Sequence, residues 1–420
     1  MSKLIEPRTL PGFRDFLPDT LRIRKKVIAI FTEIFEKYGF QPLETPTLEY
    51  QDILLGKYGE EAEKLMYLFK DNGGRDVGLR YDLTVPTARV LAQYPNLPKP
   101  FKRYQIQPAW RAEKPQRGRY REFTQCDIDT FGTNSPLADA EIITLVQECL
   151  SSVGFKQFTI RVNSRQVLFK FMESAGVSKE KYLSAIQSID KLDKKTREEV
   201  EKELTEKGFL AATVKDIFAN IEKAQPDDNL NQIISFVKKF AVPDEFFRFD
   251  PILARGLDYY TGAIFETVVT QNLPAGRQVG SITGGGRYDK LIGQFTGDDL
   301  PAVGTTIGLD RVVDVISELN LWPDTQKATT TALITIFSPE LLDKSLAVDA
   351  QLYAAKIPVE IYLDPSVKLE KQLKYADQKG IPYVLIIGPE EVTNNTVTMK
   401  NLATKEQKTI PAENLVNELR

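Results

Sequence analysis

Three stretches of the chain concentrate residues that do chemistry on phosphate and on small polar molecules. The first, Lys99 to Gly132, reads KPFKRYQIQPAWRAEKPQRGRYREFTQCDIDTFG; between Lys99 and Arg121 it carries eight Lys or Arg against one acid, Glu113, in a chain of net charge −3. The second is RGLDYYTG, Arg255 to Gly262, followed by GGGRYD, Gly284 to Asp289. The third is AVGTTIGLDRVV, Ala302 to Val313, a small-residue strand running into a helix with Arg311 in its first turn. A cation there opposes the helix dipole, and a bound nucleotide would give it a reason. Guanidinium grips phosphate in bidentate fashion. Arg beside Tyr and Asp at two strand-adjacent sites offers guanidinium for phosphate and tyrosine for a small polar heterocycle. Adjacent glycines let the backbone approach a flat ligand, or adopt positive φ, where side chains would clash.

An Arg-rich hairpin also has a plain reading, a solvated charged face. Against it, Arg111, Arg119 and Arg121 lie among Trp110, Tyr120 and Phe123, so partial burial is expected. Buried guanidinium needs anionic partners, and Glu113, Glu122, Asp127 and Asp129 do not neutralise all of them. A phosphate would.

The sequence contains no histidine. Ser-His-Asp and Cys-His catalysis and His-ligated zinc are therefore excluded, and any chemistry runs on carboxylates, Arg, Lys, Tyr or the substrate itself. Cys126 and Cys149 have no metal-ligand spacing and form no disulfide framework, which fits a reducing cytoplasm. With 420 residues, 42% hydrophobic and 27% charged, the chain is long enough for two or three domains. No apolar run is long enough to span a bilayer, and the N-terminus lacks a secretory core.

Several elements must position these residues. The hairpin reads as strands Lys102 to Arg111 and Arg119 to Asp129 joined by the loop Ala112 to Gly118. Ile23, Val27, Ile30, Phe31, Ile34, Phe35 and Tyr38 predict an amphipathic helix ended by Gly39, on the core or at a subunit interface. GFQPLETPTLEY suits an edge strand. Asp71-Asn72-Gly73-Gly74 predicts a hairpin turn between Met66 to Lys70 and Asp76 to Tyr81. Asp82 and Thr84 follow a strand end, where both could meet a ligand amino group or Thr84 could cap the next helix. Further expectations are a helix Asp139 to Val153, a strand Thr159 to Val162, charged helices from Ser178 to about Pro243, and a strand Ala263 to Val269. After Trp322 the pattern changes to buried strands (Ala332 to Phe337, Ile357 to Leu363, Ile381 to Ile387) alternating with helices (Pro339 to Ala355, Lys368 to Lys379). A hairpin strand, Thr396 to Met399, and a terminal helix follow; together these predict a small α/β domain with a mainly parallel sheet.

The three stretches resemble the signature motifs of class II aminoacyl-tRNA synthetases, and RGLDYYTG with GGGRYD resembles the two motifs particular to histidyl-tRNA synthetases. The resemblance covers essentially the full chain, in the family's order and spacing. It implies an α+β fold: a six-stranded antiparallel sheet core flanked by helices, about residues 1–325, with a helical insertion at about 176–246 and an anticodon-binding α/β domain at about 328–420. It implies a homodimer built around the first helix and strand. The implied activity joins histidine and ATP to histidyl-adenylate, then passes histidine to the 3′ end of tRNA, with Mg²⁺ accompanying ATP and no structural metal.

Carried over by position, Arg111 and Arg311 would hold the α- and γ-phosphate regions, Glu113 the adenine or magnesium, Arg119 the triphosphate, and Arg255 the α-phosphate as catalytic cation. Asp82, Thr84 and Gln125 would take the α-amino group, and Asp129 and Tyr260 the imidazole, in a pocket lined by Tyr259, Gly285 and Tyr288. Gln116 and Arg117 would read the tRNA acceptor end. LPAGRQV, Leu273 to Val279, reads as a loop insertion. Adenylation is attack by an already ionised carboxylate, so a histidine-free chain can run it on arginines and Mg²⁺. The alternative from another class is a non-catalytic paralogue such as the regulatory subunit of ATP phosphoribosyltransferase. Arg255 and the full C-terminal region weigh against it.

Overall fold

The computed structural model describes residues 4–55, 63–116, 118–193, 195–255, 259–271, 273, 279–323 and 328–420. They divide into two units, Met1–Trp322 and Pro323–Arg420.

In the first unit, eight strands among the described residues form one sheet. Their order is Gln41–Pro42, Phe101–Trp110, Glu122–Phe131, Ala302–Gly308, Thr283–Arg287, Ala263–Val269, Phe158–Ser164 and Phe247–Phe249. Every pairing among the inner six is antiparallel, and each edge strand joins in parallel. Alternation along the strands decides which face does what. Cys126, Ile128 and Tyr104 enter the apolar core, which the helices Pro18–Lys37, Pro136–Ser152 and Leu309–Glu318 cover. The intervening residues, Arg103, Gln105, Gln125, Asp127 and Asp129, are buried polar groups on the opposite face. Asp310 ties the last of those helices to the hairpin: it accepts from Arg24 Nη1 at 2.7 Å and from the Thr124 amide at 2.8 Å.

The hairpin strands stop at Trp110 and resume at Glu122, so Arg111, Arg119 and Arg121 belong to the loop rather than to the expected strands. The register continues for one more bond, the Arg111 amide donating to the Arg121 carbonyl at 2.9 Å, and then ends because the Ala112 amide turns to the Leu65 carbonyl and the Arg121 amide to that of Gly12. Pro115 and the positive φ of Gly118, 76°, favour a turn as well. The long N-terminal helix starts with Pro18, and Gly39, φ 79°, lies just beyond its end. GFQPLETPTLEY divides between two sheets: Gln41–Pro42 edges the large one, and Leu48–Tyr50 joins a three-stranded sheet with Asp76–Leu79 and Leu68–Lys70. The turn expected at Asp71 to Gly74 is present, the Asp71 carboxylate accepting from the amides of Gly73 and Arg75 at 2.9 Å.

Helices begin at Arg165, earlier than the expected Ser178, because Ser164 ends its strand and its hydroxyl caps Arg165–Ser174 through the Val167 amide. Tyr182–Ile189, Arg197–Glu206, Ala211–Glu222 and Asp228–Lys239 follow. The chain then returns to the sheet edge at Phe247–Phe249.

The second unit holds a five-stranded sheet, in order Val359–Ile361, Ala332–Ile334, Tyr383–Ile386, Thr396–Asn401, Gln407–Pro411. Two pairings are parallel and two antiparallel. The expected mainly parallel sheet is therefore evenly mixed, because Gln407–Pro411 adds a further antiparallel strand. Helices Leu342–Ala354 and Leu369–Lys379 connect the parallel strands, and Ile334, Leu352, Leu385 and Leu415 form the core between them.

Candidate active site

Register on the two longest strands builds a buried polar floor. Arg103 stands opposite Asp129, Gln105 opposite Asp127, and Gln107 opposite Gln125. The Arg103 side chain is fully buried; its Nη2 lies 2.7 Å from Asp129 Oδ2 and 3.7 Å from Asp127 Oδ2. Thr306 donates its hydroxyl to Asp127 Oδ1 at 2.6 Å and accepts from Gln125 Nε2 at 3.1 Å. That leaves Gln125 Oε1 buried with no partner among the described residues. Tyr288 donates its hydroxyl to Asp129 Oδ1. Across the sheet from Asp129 is Gly304, where a Cβ would fall 1.8 Å from Asp129 Oδ1. No side chain fits there unless the carboxylate moves.

Two carboxylates sharing one guanidinium in a dry site resist ionisation together. Burial pushes Asp127 up to about 7, Arg103 pulling it down and Asp129 pushing it further up. Burial likewise raises Asp129. Asp82 is a third carboxylate in the same field. It accepts from the Val85 amide at 3.1 Å, which is the capping role expected of Thr84. Thr84 is instead the first residue of the helix Thr84–Gln93. The strand end sets Asp82 three residues before that amide, the usual reach of a capping carboxylate.

Phenols wall this pocket. The Tyr259 and Tyr260 ring centroids are 4.8 Å apart, and Tyr259 and Tyr288 5.9 Å. Burial raises the hydroxyls of Tyr259 and Tyr288 well above their ordinary range, so both remain neutral donors. Gly285 pairs with Phe265 and Thr305; a Cβ on it would come within 2.2 Å of the Gly304 carbonyl.

The other end of the site is cationic. Arg311 is partly buried beside Arg119, Arg111 and Arg255, and desolvation first, then each of those three charges, pulls its guanidinium below the ordinary range. It donates Nε to the Gly118 carbonyl at 3.1 Å and Nη1 to that of Ser281, neutral acceptors that leave its charge uncompensated. Arg111 stacks between Tyr81 and Phe123, 4.3 and 5.0 Å from the ring centroids. Arg119, half exposed, pairs with Glu113. Arg255 has φ 55°, a conformation non-glycine residues seldom adopt. Its Nη1 donates to Glu266 Oε1 at 3.0 Å. The guanidinium lies over Gly284, whose missing Cβ would sit 2.3 Å from it. The space expected for a flat ligand at this glycine is thus occupied by the protein's own arginine.

Two basic residues stand apart. Arg121 donates Nε to the Glu113 carbonyl at 3.0 Å and Nη1 to that of Pro11 at 3.3 Å, fixing the loop base. Arg287, expected to offer a guanidinium to phosphate, is bound instead to the buried Asp139 and to the Thr133 carbonyl. Arg111 and Arg121 are partly buried, as expected, while Arg119 is exposed; the most deeply buried arginines are Arg80, Arg103 and Arg165, paired or bonded to carbonyls. Gln116 is exposed at the loop tip in a bridge with Arg119. Arg117, Gly256 to Asp258 and most of LPAGRQV lie outside the described residues. Arg103 and Asp127, the latter weighed in the sequence only as a counter-charge, were not singled out as site residues, nor were Thr306, Gly304 and Glu266. The alternation RxQxQ opposite QxDxD was the available signal for the first two.

An antiparallel sheet carrying clustered arginines at one end and a carboxylate–phenol pocket at the other defines the class: a class II aminoacyl-tRNA synthetase core. The family pattern described as Histidyl-tRNA synthetase matches residues 12–312, and that described as Anticodon binding domain matches 331–420. A histidine–tRNA ligase of Rhodopirellula baltica is 40% identical over 430 residues, 97% of this chain and 96% of that protein. The crystal structure of histidyl-tRNA synthetase from Nostoc sp. PCC 7120 superposes with TM-score 0.84 at 30% identity, covering 99% of each chain. A Bacillus halodurans C structure described as ATP phosphoribosyltransferase regulatory subunit/histidyl-tRNA synthetase has TM-score 0.74 at 19% identity, covering 89% of this chain and 97% of that one; it shares the fold. The chain belongs to the histidyl-tRNA synthetase family.

Proposed function

We propose that this chain activates histidine with ATP and transfers it to the 3′ end of tRNA(His). The observation that carries the reading is the opposed charge of one continuous site: four guanidiniums at one end, three buried carboxylates at the other. A substrate with a cationic amino group and an imidazole suits the carboxylate end, and a triphosphate suits the arginines.

Asp82, Thr84 and Gln125 take the α-ammonium, the free Gln125 Oε1 being an acceptor without a donor. Asp129 and Tyr260 read the imidazole nitrogens between Tyr259, Tyr288 and the Gly285 backbone. A ring offering one donor and one acceptor satisfies this pocket; an aliphatic competitor leaves buried polar groups unpaired. Arg111, Arg119 and Arg311 hold the triphosphate, and Arg255 the α-phosphate. The substrate carboxylate attacks there with no protein base, and Arg255 stabilises the charge that builds on the phosphoryl oxygens. In the second step the adenylate phosphate accepts the ribose proton. The hard oxygens of Glu113 suit Mg²⁺ carried in with ATP, which when bound would neutralise phosphate charge. Gln116, exposed at the loop tip, and Arg117, the next residue in sequence, read the acceptor end, and residues 331–420, matched by the anticodon-binding pattern, take the anticodon.

The chain works as a cytoplasmic homodimer joined along Pro18–Lys37 and the adjoining strand; no helix among the described residues is long and apolar enough to cross a membrane. The regulatory-subunit alternative is not favoured, since full-length relatives are histidine–tRNA ligases. The test is ATP–pyrophosphate exchange with a panel of amino acids. Exchange with histidine alone is expected; exchange with another amino acid, or none, refutes the reading.

A further inference from the structure

Arg255 must present its guanidinium to a ligand beside the like charge of Arg311, and its anchor is itself shared. Glu266 gives Oε1 to Arg255 Nη1 at 3.0 Å and turns Oε2 toward Arg161 Nη1 at 3.6 Å. Arg161 stands directly opposite Glu266 on the next strand, with 5% of its side chain exposed. It donates Nε to Asp250 at 2.7 Å and the same Nη1 to Asp193 Oδ2 at 2.8 Å. Asp193 ends the short turn Asp190–Asp193 of the helical segment. Charges alternate along the path from Arg255 through Glu266 and Arg161 to Asp193. The same segment reaches the Arg255 backbone: Arg165 Nη2 donates to the Arg255 carbonyl at 3.1 Å, at the residue with positive φ. Asp190 also lies in the field of Arg255.

We propose that Asp193 is a positioning residue for Arg255: by holding Arg161 Nη1, it keeps Glu266 available to anchor the catalytic guanidinium, and so ties histidine activation to the docking of the helical segment. This rests on the function proposed above. Asp193 and Glu266 compete for one nitrogen. When Asp193 loses its charge, Arg161 turns to Glu266, whose charge is then divided, and Arg255 is held less firmly in its place over Gly284. Small misplacements of a catalytic group are costly in rate. The Asp193 side chain is 41% exposed, so the fold tolerates its substitution better than that of Arg161.

The experiment is steady-state histidine-dependent pyrophosphate exchange by the full chain. Asp193→Asn is expected to lower kcat roughly tenfold with the KM for histidine unchanged, and Asp193→Glu to restore much of it. Glu266→Gln lowers kcat as well, and adding Asp193→Asn to it changes nothing further, because the path runs through Glu266. Arg197→Ala, on the same segment but with exposed partners, keeps wild-type kcat. Wild-type kcat in Asp193→Asn, or multiplying losses in the double variant, overturns the inference while leaving the function intact. Absence of exchange in the wild type overturns both.

Discussion

At the hairpin end of the site, Arg111, Arg119, Arg255 and Arg311 crowd together with Glu113 and Glu266 as counter-charges; at the opposite end Asp82, Asp127 and Asp129 share Arg103. Each end carries an excess of one sign, and the signs are opposite. A protein that needed these groups only for stability would have paired the two sets, since uncompensated buried charge is costly. The sheet instead holds them apart, with Gly284 under the arginine and Gly304 under the aspartate. The spacing fits a ligand pair whose own charges are arranged the other way round: an ammonium and imidazole at one end, phosphates at the other, and the reacting carboxylate between them.

The harshest way to break the comparison is to empty its cationic end. Arg255→Ala is expected to cut histidine-dependent pyrophosphate exchange by about 10³, the scale of losing a preorganised charge at a developing anion, while thermal unfolding shows a folded protein. Exchange within a few-fold of wild type would remove Arg255 from the chemistry. The acidic end should respond differently. Asp129→Asn is expected to raise the KM for histidine by about 10² with the KM for ATP near wild type; a larger effect on ATP would mean that the two ends are not separate. Gly284→Ala probes the boundary, because its methyl group would displace the Arg255 guanidinium. A kcat loss of roughly tenfold with both KM values retained is expected, and unchanged kcat would mean that Arg255 does not need that position.

The strand Ala263–Val269 was legible to the residue, because β-branched and aromatic residues alternate between turn-rich flanks, and so was the run from Ala302 into a helix. The glycine strand was legible as a close approach, but not what approaches: only the fold brings Arg255 over Gly284. The hairpin misled for a physical reason. Its conspicuous arginines lie where the backbone leaves the ladder for the Leu65 and Gly12 carbonyls, whereas Arg103, whose partners sit on the adjacent strand, is the one that buries fully. Glu266, Arg161 and Asp193 left no local trace, since their pairing spans 32 to 105 residues and arises only when the strands and the helical segment come together. Arg287 carried the same motif chemistry as Arg255, yet the buried Asp139 claims it.

The last expected effect concerns folding rather than rate, and it sharpens the account of the acidic end. Burial raises Asp127 from 3.8 to about 7, so between those values the folded chain keeps a proton that the unfolded chain has released. Stability then falls as pH rises through that window and levels off above about pH 7, with a steepest slope of about 1.4 kcal/mol per pH unit for one such group. Asp127→Asn cannot ionise and loses this contribution to the slope. Its stability relative to wild type should therefore climb between pH 4 and 7 and stay constant beyond, as measured by chemical denaturation. Parallel curves for the two proteins would show that Arg103 compensates Asp127 fully, and that the surplus negative charge of the pocket rests on Asp82 and Asp129 instead.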